Sequence, residues 1–141
     1  GLDGRRTFGI GVFSHSARAA EVTAETAAEM AGDTRIGPVG GDGQGGIGTV
    51  PDAIEAAIDA AAGGDEGGDA GDLDPVVVLV DLGSAVMNAD VAVELSDAEA
   101  TIADAPVLEG AVNAAVAATD PSATVESVRE QAEAARDVDK L

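Results

Sequence analysis

Residues Val76–Val80 read VVVLV, and this run constrains the fold more than any other part of the chain. A strand with one face in water alternates apolar and polar residues, whereas this run is apolar at every position. Such a strand is covered on both faces, as in the middle of a parallel sheet with helices on either side. The run ends at Asp81, so a carboxylate follows directly at the carboxyl end of a buried strand.

Strand-like and helix-like segments alternate along the rest of the chain. Thr7–Phe13 is a short apolar run, and the segment after it repeats alanine at helical spacing with glutamates on the other face. A second unit begins at Thr34–Val39 and continues through a glycine-rich loop into another helix. Thr49 and Asp52, on either side of Pro51, predict a capping box at the start of that helix. Repeated alternation of this kind predicts right-handed crossovers and a parallel sheet.

We therefore predict an α/β, doubly wound fold, with a mainly parallel four- to five-stranded sheet in the order 2-1-3-4 and helices on both faces. A weak fourth strand is expected near Ala100–Ala103, after a helix over Ala85–Leu95. The length suits one domain over residues 1–141. Within it, residues 1–5 are expected to be disordered or foreign to the natural chain, and the acidic, glycine-rich residues 63–75 to form a solvated loop.

The composition argues against several classes of protein. With no Cys and a single His, a disulfide framework and a thiolate zinc site are excluded, and we expect no metal and no cofactor. No run approaches the roughly 20 apolar residues of a transmembrane helix, and the start lacks the apolar region of a signal peptide. We therefore expect a cytoplasmic protein without membrane insertion. A net charge of −20 disfavours nucleic acid as a partner.

Candidate functional residues follow the predicted strands. In an open parallel sheet, ligands bind beyond the carboxyl ends of the strands, where the strand order reverses. Polar residues and glycines follow three of the strands at this edge: Ser14, His15 and Ser16; Gly48 and Thr49; and Asp81, Gly83 and Ser84. With the order 2-1-3-4, His15 and Asp81 lie on either side of the reversal, where they can touch.

These residue types suit a phosphohistidine site. A histidine at a helix start lies near free backbone N–H groups, those of Ser16 and the residues after it, and near the positive end of the helix dipole. Asp81 would accept a hydrogen bond from one ring nitrogen of His15 and leave the other as the nucleophile. Further donors to phosphoryl oxygens are expected among Ser14, Gly48, Thr49, Gly83 and Ser84. From the residues alone, His15 as a capping or merely exposed side chain, and Asp81 as a helix N-cap, stay open.

Four stretches resemble the mannose-type enzyme IIA family of the phosphotransferase system: FGIGVFSHS, GGIGT, DLGSAVMNADVAVE and APVLEGA. They span about Phe8 to Ala118 in the family's order, and DLGSAVMN resembles the dihydroxyacetone-kinase branch more than the sugar-transporting one. PVLEG stands where PLVEG is usual. The resemblance implies that His15 is phosphorylated and that Asp81 orients it. It also implies a pocket lined by Thr49, Gly83 and Ser84.

The resemblance also implies a reaction and partners. A phosphoryl group would pass from phospho-HPr to His15, and then to ADP on the nucleotide-binding kinase subunit DhaL, which acts with the dihydroxyacetone-binding subunit DhaK. The chain would be a phosphoenolpyruvate-glycerone phosphotransferase subunit and a homodimer. Two alternatives stay open. One is a sugar-transport enzyme IIA domain that phosphorylates a IIB component; the other is a non-catalytic module that binds a nucleotide or flavin, although the chain has no Trp, Tyr or Rossmann fingerprint.

The charge pattern predicts that folding depends on salt. The chain has 27 acidic residues against seven basic ones, and the carboxylates are scattered among apolar residues, as in proteins of salt-accumulating halophiles, so we expect a haloarchaeal source. Self-repulsion destabilises such a chain in dilute buffer, whereas about 1 M salt shortens the Debye length to about 3 Å. We expect circular dichroism to show less structure in low salt than in molar KCl. Identical spectra in both would contradict the prediction.

Overall fold

The computed structural model describes residues 7–42, 50–64, 73–81 and 83–139. Its strands are β1 (Gly9–Ser14), β2 (Arg35–Gly40), β3 (Val76–Val80) and β4 (Ala100–Ile102). Its helices are α1 (Ala17–Ala28), α2 (Pro51–Ala61), α3 (Gly83–Leu95), α4 (Val107–Ala118) and α5 (Val125–Glu133), followed by a 3-10 turn at Ala134–Asp137. The strands form one parallel sheet in the order β2-β1-β3-β4, which confirms the predicted fold class and strand order. Residues 1–5 and most of the predicted loop 63–75 lie outside the described residues.

Helices cover both faces of the sheet and divide the core into two layers. α1, α4 and α5 pack on one face, and α2 and α3 pack on the other. Along β3, Val77 and Leu79 join the first layer, whereas Val76, Val78 and Val80 join the second. Successive side chains of a strand point to opposite faces, so a strand between two helical layers needs an apolar residue at every position.

Small residues let α2 lie directly on the strands beneath it. A Cβ at Gly9 would overlap the backbone carbonyl of Ala61, and a Cβ at Gly37 would lie 2.9 Å from the carbonyl oxygen of Ala57. Aromatic residues make up only 1% of the chain. Close approach of helix and sheet is therefore how this core reaches the packing density of a protein interior.

The start of α2 differs from the capping box predicted at Thr49 and Asp52. The N-cap is Val50, which makes no side-chain capping hydrogen bond, and Pro51 is the first helical residue. Proline has no N–H to satisfy and its fixed φ suits the first helical position. The capping-box prediction is therefore wrong, because the proline sets this helix start.

Helix α3 exposes a stripe of apolar side chains at a spacing of four residues. Met87 is 70% exposed, Val91 47% and Leu95 61%. Its buried face consists of Ala85, Ala89 and Ala92, so larger apolar residues face outward and smaller ones face the sheet. None of the described helices, α3 included, is long and apolar enough to cross a membrane.

Two leucines test the layered core by the same substitution. Leu79 is 0% exposed and Leu95 is 61% exposed. Leu79→Ala is expected to lower the free energy of unfolding by about 2–5 kcal/mol, because a cavity adds to the lost burial. Leu95→Ala is expected to change it by less than about 0.5 kcal/mol. Urea unfolding at one fixed salt concentration measures both, and equal losses would contradict the burial of Leu79 in the first layer.

Candidate active site

Strand pairing brings the candidate residues together at the carboxyl edge of the sheet. β1 and β3 are parallel neighbours, with Phe13 opposite Val80. The chain continues from these paired residues into Ser14 and His15 on one side and into Asp81 on the other. The ring nitrogen Nδ1 of His15 lies 3.0 Å from Oδ1 of Asp81.

Both carboxylate oxygens of Asp81 contact the β1 end. The Ser14 hydroxyl donates a hydrogen bond to Oδ2 at 2.7 Å, and the backbone N–H of His15 donates to the same oxygen at 3.1 Å. Oδ1 faces Nδ1 of the His15 ring. An ionised carboxylate can only accept, so we assign the ring hydrogen to Nδ1 and the ring lone pair to Nε2.

The hydrogen bonds keep Asp81 ionised. Burial by itself would raise the pKa of this carboxyl, because it disfavours the charged form. Hydrogen bonds from the Ser14 hydroxyl, the His15 ring and the His15 backbone outweigh burial and lower the pKa below its ordinary value of 3.8. A lowered folded-state pKa means that the stabilisation is present above the ordinary value and is lost as the pH falls through the folded-state value.

The start of α1 is capped within the same segment. The Oγ of Ser16 accepts a hydrogen bond from the Ala19 N–H at 3.2 Å, and the Ser16 N–H donates to the Oγ of Ser14 at 3.1 Å. The first backbone bond of the helix joins the Ala20 N–H to the Ser16 carbonyl. The Ser16 N–H, which the sequence predicts to be free for an anion, is therefore taken by Ser14, and the Ala19 N–H is taken by Ser16. Ala17 and Arg18 lie between them at the first helical positions, where backbone N–H groups have no partner within a helix. Because α3 also begins at this edge, at Gly83, the positive ends of two helix dipoles lie there.

The other predicted phosphoryl-binding residues are described in part. Gly83 and Ser84 are the first residues of α3, and a Cβ at Gly83 would meet nothing within 4 Å. The side chain of Ser84 and the whole of Gly48 and Thr49 lie outside the described residues, so their roles stay predictions. In the part of the chain that the structure describes, no group of three or more His, Cys, Asp or Glu side chains could hold a metal ion.

A cavity of about 300 Å³ opens beside Asp81, between the ends of β3 and β4 and the start of α3. Its exposed lining is polar and apolar in about equal parts and consists of Val80, Asp81, Gly83, Val86, Ile102, Ala103, Asp104 and Ala105. The exposed carboxylate of Asp104 pairs with Arg136 at 2.8 Å. Asp81 therefore lies between the histidine on one side and an open cavity of mixed polarity on the other.

Sequence reasoning missed Gly40, the last residue of β2. Gly40 lies opposite Ser14 in the sheet. A Cβ at this position would overlap the carbonyl oxygen of Ser14 and lie 2.8 Å from that of Ser16. Only a residue without a side chain lets the His15 segment pass this close. A glycine that ends the strand next to the histidine-bearing strand is the signal that could have indicated this role.

Gly40→Ala tests this close approach. We expect it to displace the backbone around His15 and to lower the free energy of unfolding by about 1–3 kcal/mol, because the added methyl meets backbone atoms. The chain has one histidine, so imidazole NMR signals report His15 alone and should shift. Gly83→Ala is the matched control, because open space surrounds its Cβ position. An unshifted His15 ring in Gly40→Ala would contradict the role given to Gly40.

The fold and the site define an open α/β domain that presents one carboxylate-oriented histidine at the strand-order reversal. A family model described as the PTS system fructose IIA component, EIIA-man, matches residues 9–129 of this chain. The chain belongs to this family, the mannose-type enzyme IIA family of the phosphotransferase system. The resemblance seen in its sequence motifs is thereby confirmed.

Curated relatives are similar over most of the chain. One is 35% identical over 127 residues, covers 90% of this chain and 94% of the relative, and is named the PTS-dependent dihydroxyacetone kinase, phosphotransferase subunit DhaM, of Lactococcus lactis subsp. lactis. Another relative is 34% identical over 106 residues, and the alignment covers 75% of this chain and 77% of that relative. It is named the PEP-dependent dihydroxyacetone kinase 1, phosphoryl donor subunit DhaM, of Listeria innocua. A solved structure of a protein of unknown function aligns with a TM-score of 0.73 at 24% identity and covers 90% of this chain and 93% of that one. The last likeness shows the fold alone.

Proposed function

We propose that this chain is a phosphotransferase subunit that carries a phosphoryl group on His15. It accepts the group from phospho-HPr and passes it to ADP on the nucleotide-binding subunit DhaL of dihydroxyacetone kinase, which acts with DhaK. The observation that carries the proposal is the 3.0 Å contact between Nδ1 of His15 and Oδ1 of Asp81. The names of the curated relatives, both subunits of dihydroxyacetone kinases, support the choice of acceptor.

Asp81 prepares the His15 ring for attack. Because Nδ1 donates its hydrogen to the carboxylate, the lone pair at Nε2 is the nucleophile. Nε2 attacks the phosphorus of the donor phosphohistidine, the donor P–N bond breaks, and its electron pair returns to the donor ring. The His15 ring then carries positive charge, which the ionised Asp81 stabilises. In the second half of the cycle, a β-phosphate oxygen of ADP attacks the same phosphorus and releases a neutral ring.

The remaining task of the protein is to hold the phosphoryl oxygens. Phosphoryl transfer leaves little covalent chemistry to the enzyme, so positioning and charge stabilisation supply most of the rate. Backbone N–H groups in the first turns of α1 and α3 suit this task, since helix N-termini bind anions. Gly83 and Ser84 begin α3, and Gly48 and Thr49 are the further donors expected from the family resemblance.

The description of the matching family favours a second candidate. The matching family model is described by a fructose IIA component, a part of a sugar transporter. In that role the chain would pass the phosphoryl group from His15 to a IIB component, and not to ADP. Both roles use the same donor and the same histidine. The family resemblance leads us to expect a cytoplasmic homodimer in either role.

Phosphorylation of purified protein tests the proposed carrier. With phosphoenolpyruvate, enzyme I and HPr, the chain is expected to take up an acid-labile, base-stable phosphoryl group, and His15→Ala should take up none. Asp81→Asn is expected to slow labelling by about a hundredfold or more, because an amide no longer fixes the ring tautomer. Persistent labelling of His15→Ala would contradict the proposal.

A control and an acceptor assay complete the test. Asp104→Asn makes the same chemical change at an 86% exposed carboxylate on the same sheet edge and is expected to label at a rate within about twofold of the unchanged protein. Labelled protein is then mixed either with DhaL, ADP, DhaK and dihydroxyacetone, or with a IIB component. Loss of label in the first mixture supports the kinase role, and loss in the second alone supports the sugar-transport role.

A further inference from the structure

Ser14 has a buried hydroxyl that is fully engaged in the unphosphorylated site. The residue is 3% exposed, its Oγ donates to Oδ2 of Asp81 at 2.7 Å, and it accepts the N–H of Ser16 at 3.1 Å. A hydroxyl has one hydrogen to donate. The single hydrogen of the Ser14 hydroxyl is therefore donated to Asp81. The sequence, in contrast, predicts that Ser14 donates to the phosphoryl group.

The contact decides how the Asp81 carboxylate is turned. The terminal torsion of an aspartate is broad, so the carboxylate plane is set by its hydrogen-bond partners. Oδ2 is held by two donors, the Ser14 hydroxyl and the His15 backbone N–H, at 2.7 and 3.1 Å. With Oδ2 held on that side, Oδ1 is directed at Nδ1 of the His15 ring. Removing the hydroxyl leaves one donor on Oδ2 and frees the plane to rotate.

We propose that Ser14 is a positioning residue, whose hydroxyl orients Asp81 and through it holds the His15 ring in the tautomer with hydrogen on Nδ1. The consequence of this positioning for phosphoryl transfer rests on the proposed function, but the effect of Ser14 on the His15 ring does not. A hydroxyl that only satisfies a buried strand end would affect stability and leave the tautomer unchanged. A hydroxyl that binds the phosphoryl group would affect transfer and also leave the tautomer unchanged.

The single histidine makes the ring directly measurable. Nitrogen-15 NMR of the full chain resolves Nδ1 and Nε2 of His15 and gives the tautomer populations, and carboxyl carbon-13 NMR follows the titration of Asp81. In Ser14→Ala we expect the Nε2–H tautomer to gain population and the pKa of Asp81 to rise, since a hydrogen bond that lowers it is lost. In the phospho-HPr assay we expect kcat to fall at least about tenfold with KM little changed.

Companion variants separate orientation from stability. Ser14→Thr keeps the hydroxyl and is expected to restore the tautomer. Ser14→Cys keeps the shape of the side chain but replaces the hydroxyl with a thiol, which is a weak donor, so it should shift the tautomer in the same direction as Ser14→Ala. This variant keeps the test decisive if Ser14→Ala does not fold. Thr124→Ala removes a remote helix cap, whose Oγ accepts the Ser127 N–H at 3.0 Å, and should cost stability without moving the His15 signals.

An unchanged tautomer in both Ser14→Ala and Ser14→Cys overturns the proposal. If transfer is lost while the tautomer is unchanged, Ser14 contacts the phosphoryl group directly and is not a positioning residue. If the tautomer shifts in the Ser14 variants but the protein without substitutions takes no label from phospho-HPr, the proposed function fails and the orienting role of Ser14 stands.

Discussion

The hydrogen bonds between Asp81 and the end of β1 are the interaction on which the site depends. They join residues 66 and 67 positions apart in the chain. Only the parallel pairing of β1 with β3 brings these positions together, and that pairing places β3 between two helical layers. The same burial that requires an apolar residue at every position of β3 thus delivers the carboxylate after it to the histidine. Both the packing of the core and the placement of Asp81 beside His15 therefore depend on β3.

β2, the other neighbour of β1 in the sheet, also constrains the position of the site, through close packing. The core is built from small residues, so α2 lies on the backbone at Gly9 and Gly37, and β2 lies on the histidine-bearing segment at Gly40. Dense packing leaves little room for the backbone to shift. The position of His15 is therefore fixed from both sides, by hydrogen bonds from β3 and by steric contact from β2.

The sequence predicts this fold well because periodicity reports burial. The apolar β3 run, the alternating units and the switch-point rule together predict the strand order and bring His15 near Asp81. They fail where a side chain chooses among local partners. Nothing in the sequence says that the Ser14 hydroxyl turns toward Asp81, or that α2 begins after Val50 without a side-chain cap. For α3, apolar residues on most sides hide which face packs, and the structure leaves Met87 and Leu95 exposed.

A net charge of −20 repels an approaching phosphoryl group, whereas helix N-termini attract one. The repulsion and the attraction act over different distances. Exposed carboxylates repel through solvent, and salt shortens that reach from about 10 Å at 0.1 M to about 3 Å at 1 M. In the proposed site, hydrogen bonds from the first turns of α1 and α3 would act at contact, about 3 Å, where salt screens little. Concentrated salt therefore weakens repulsion by the surface more than attraction by the pocket. In concentrated salt, an acidic surface and the proposed phosphohistidine site are compatible in one chain, because salt screens the surface more than the pocket.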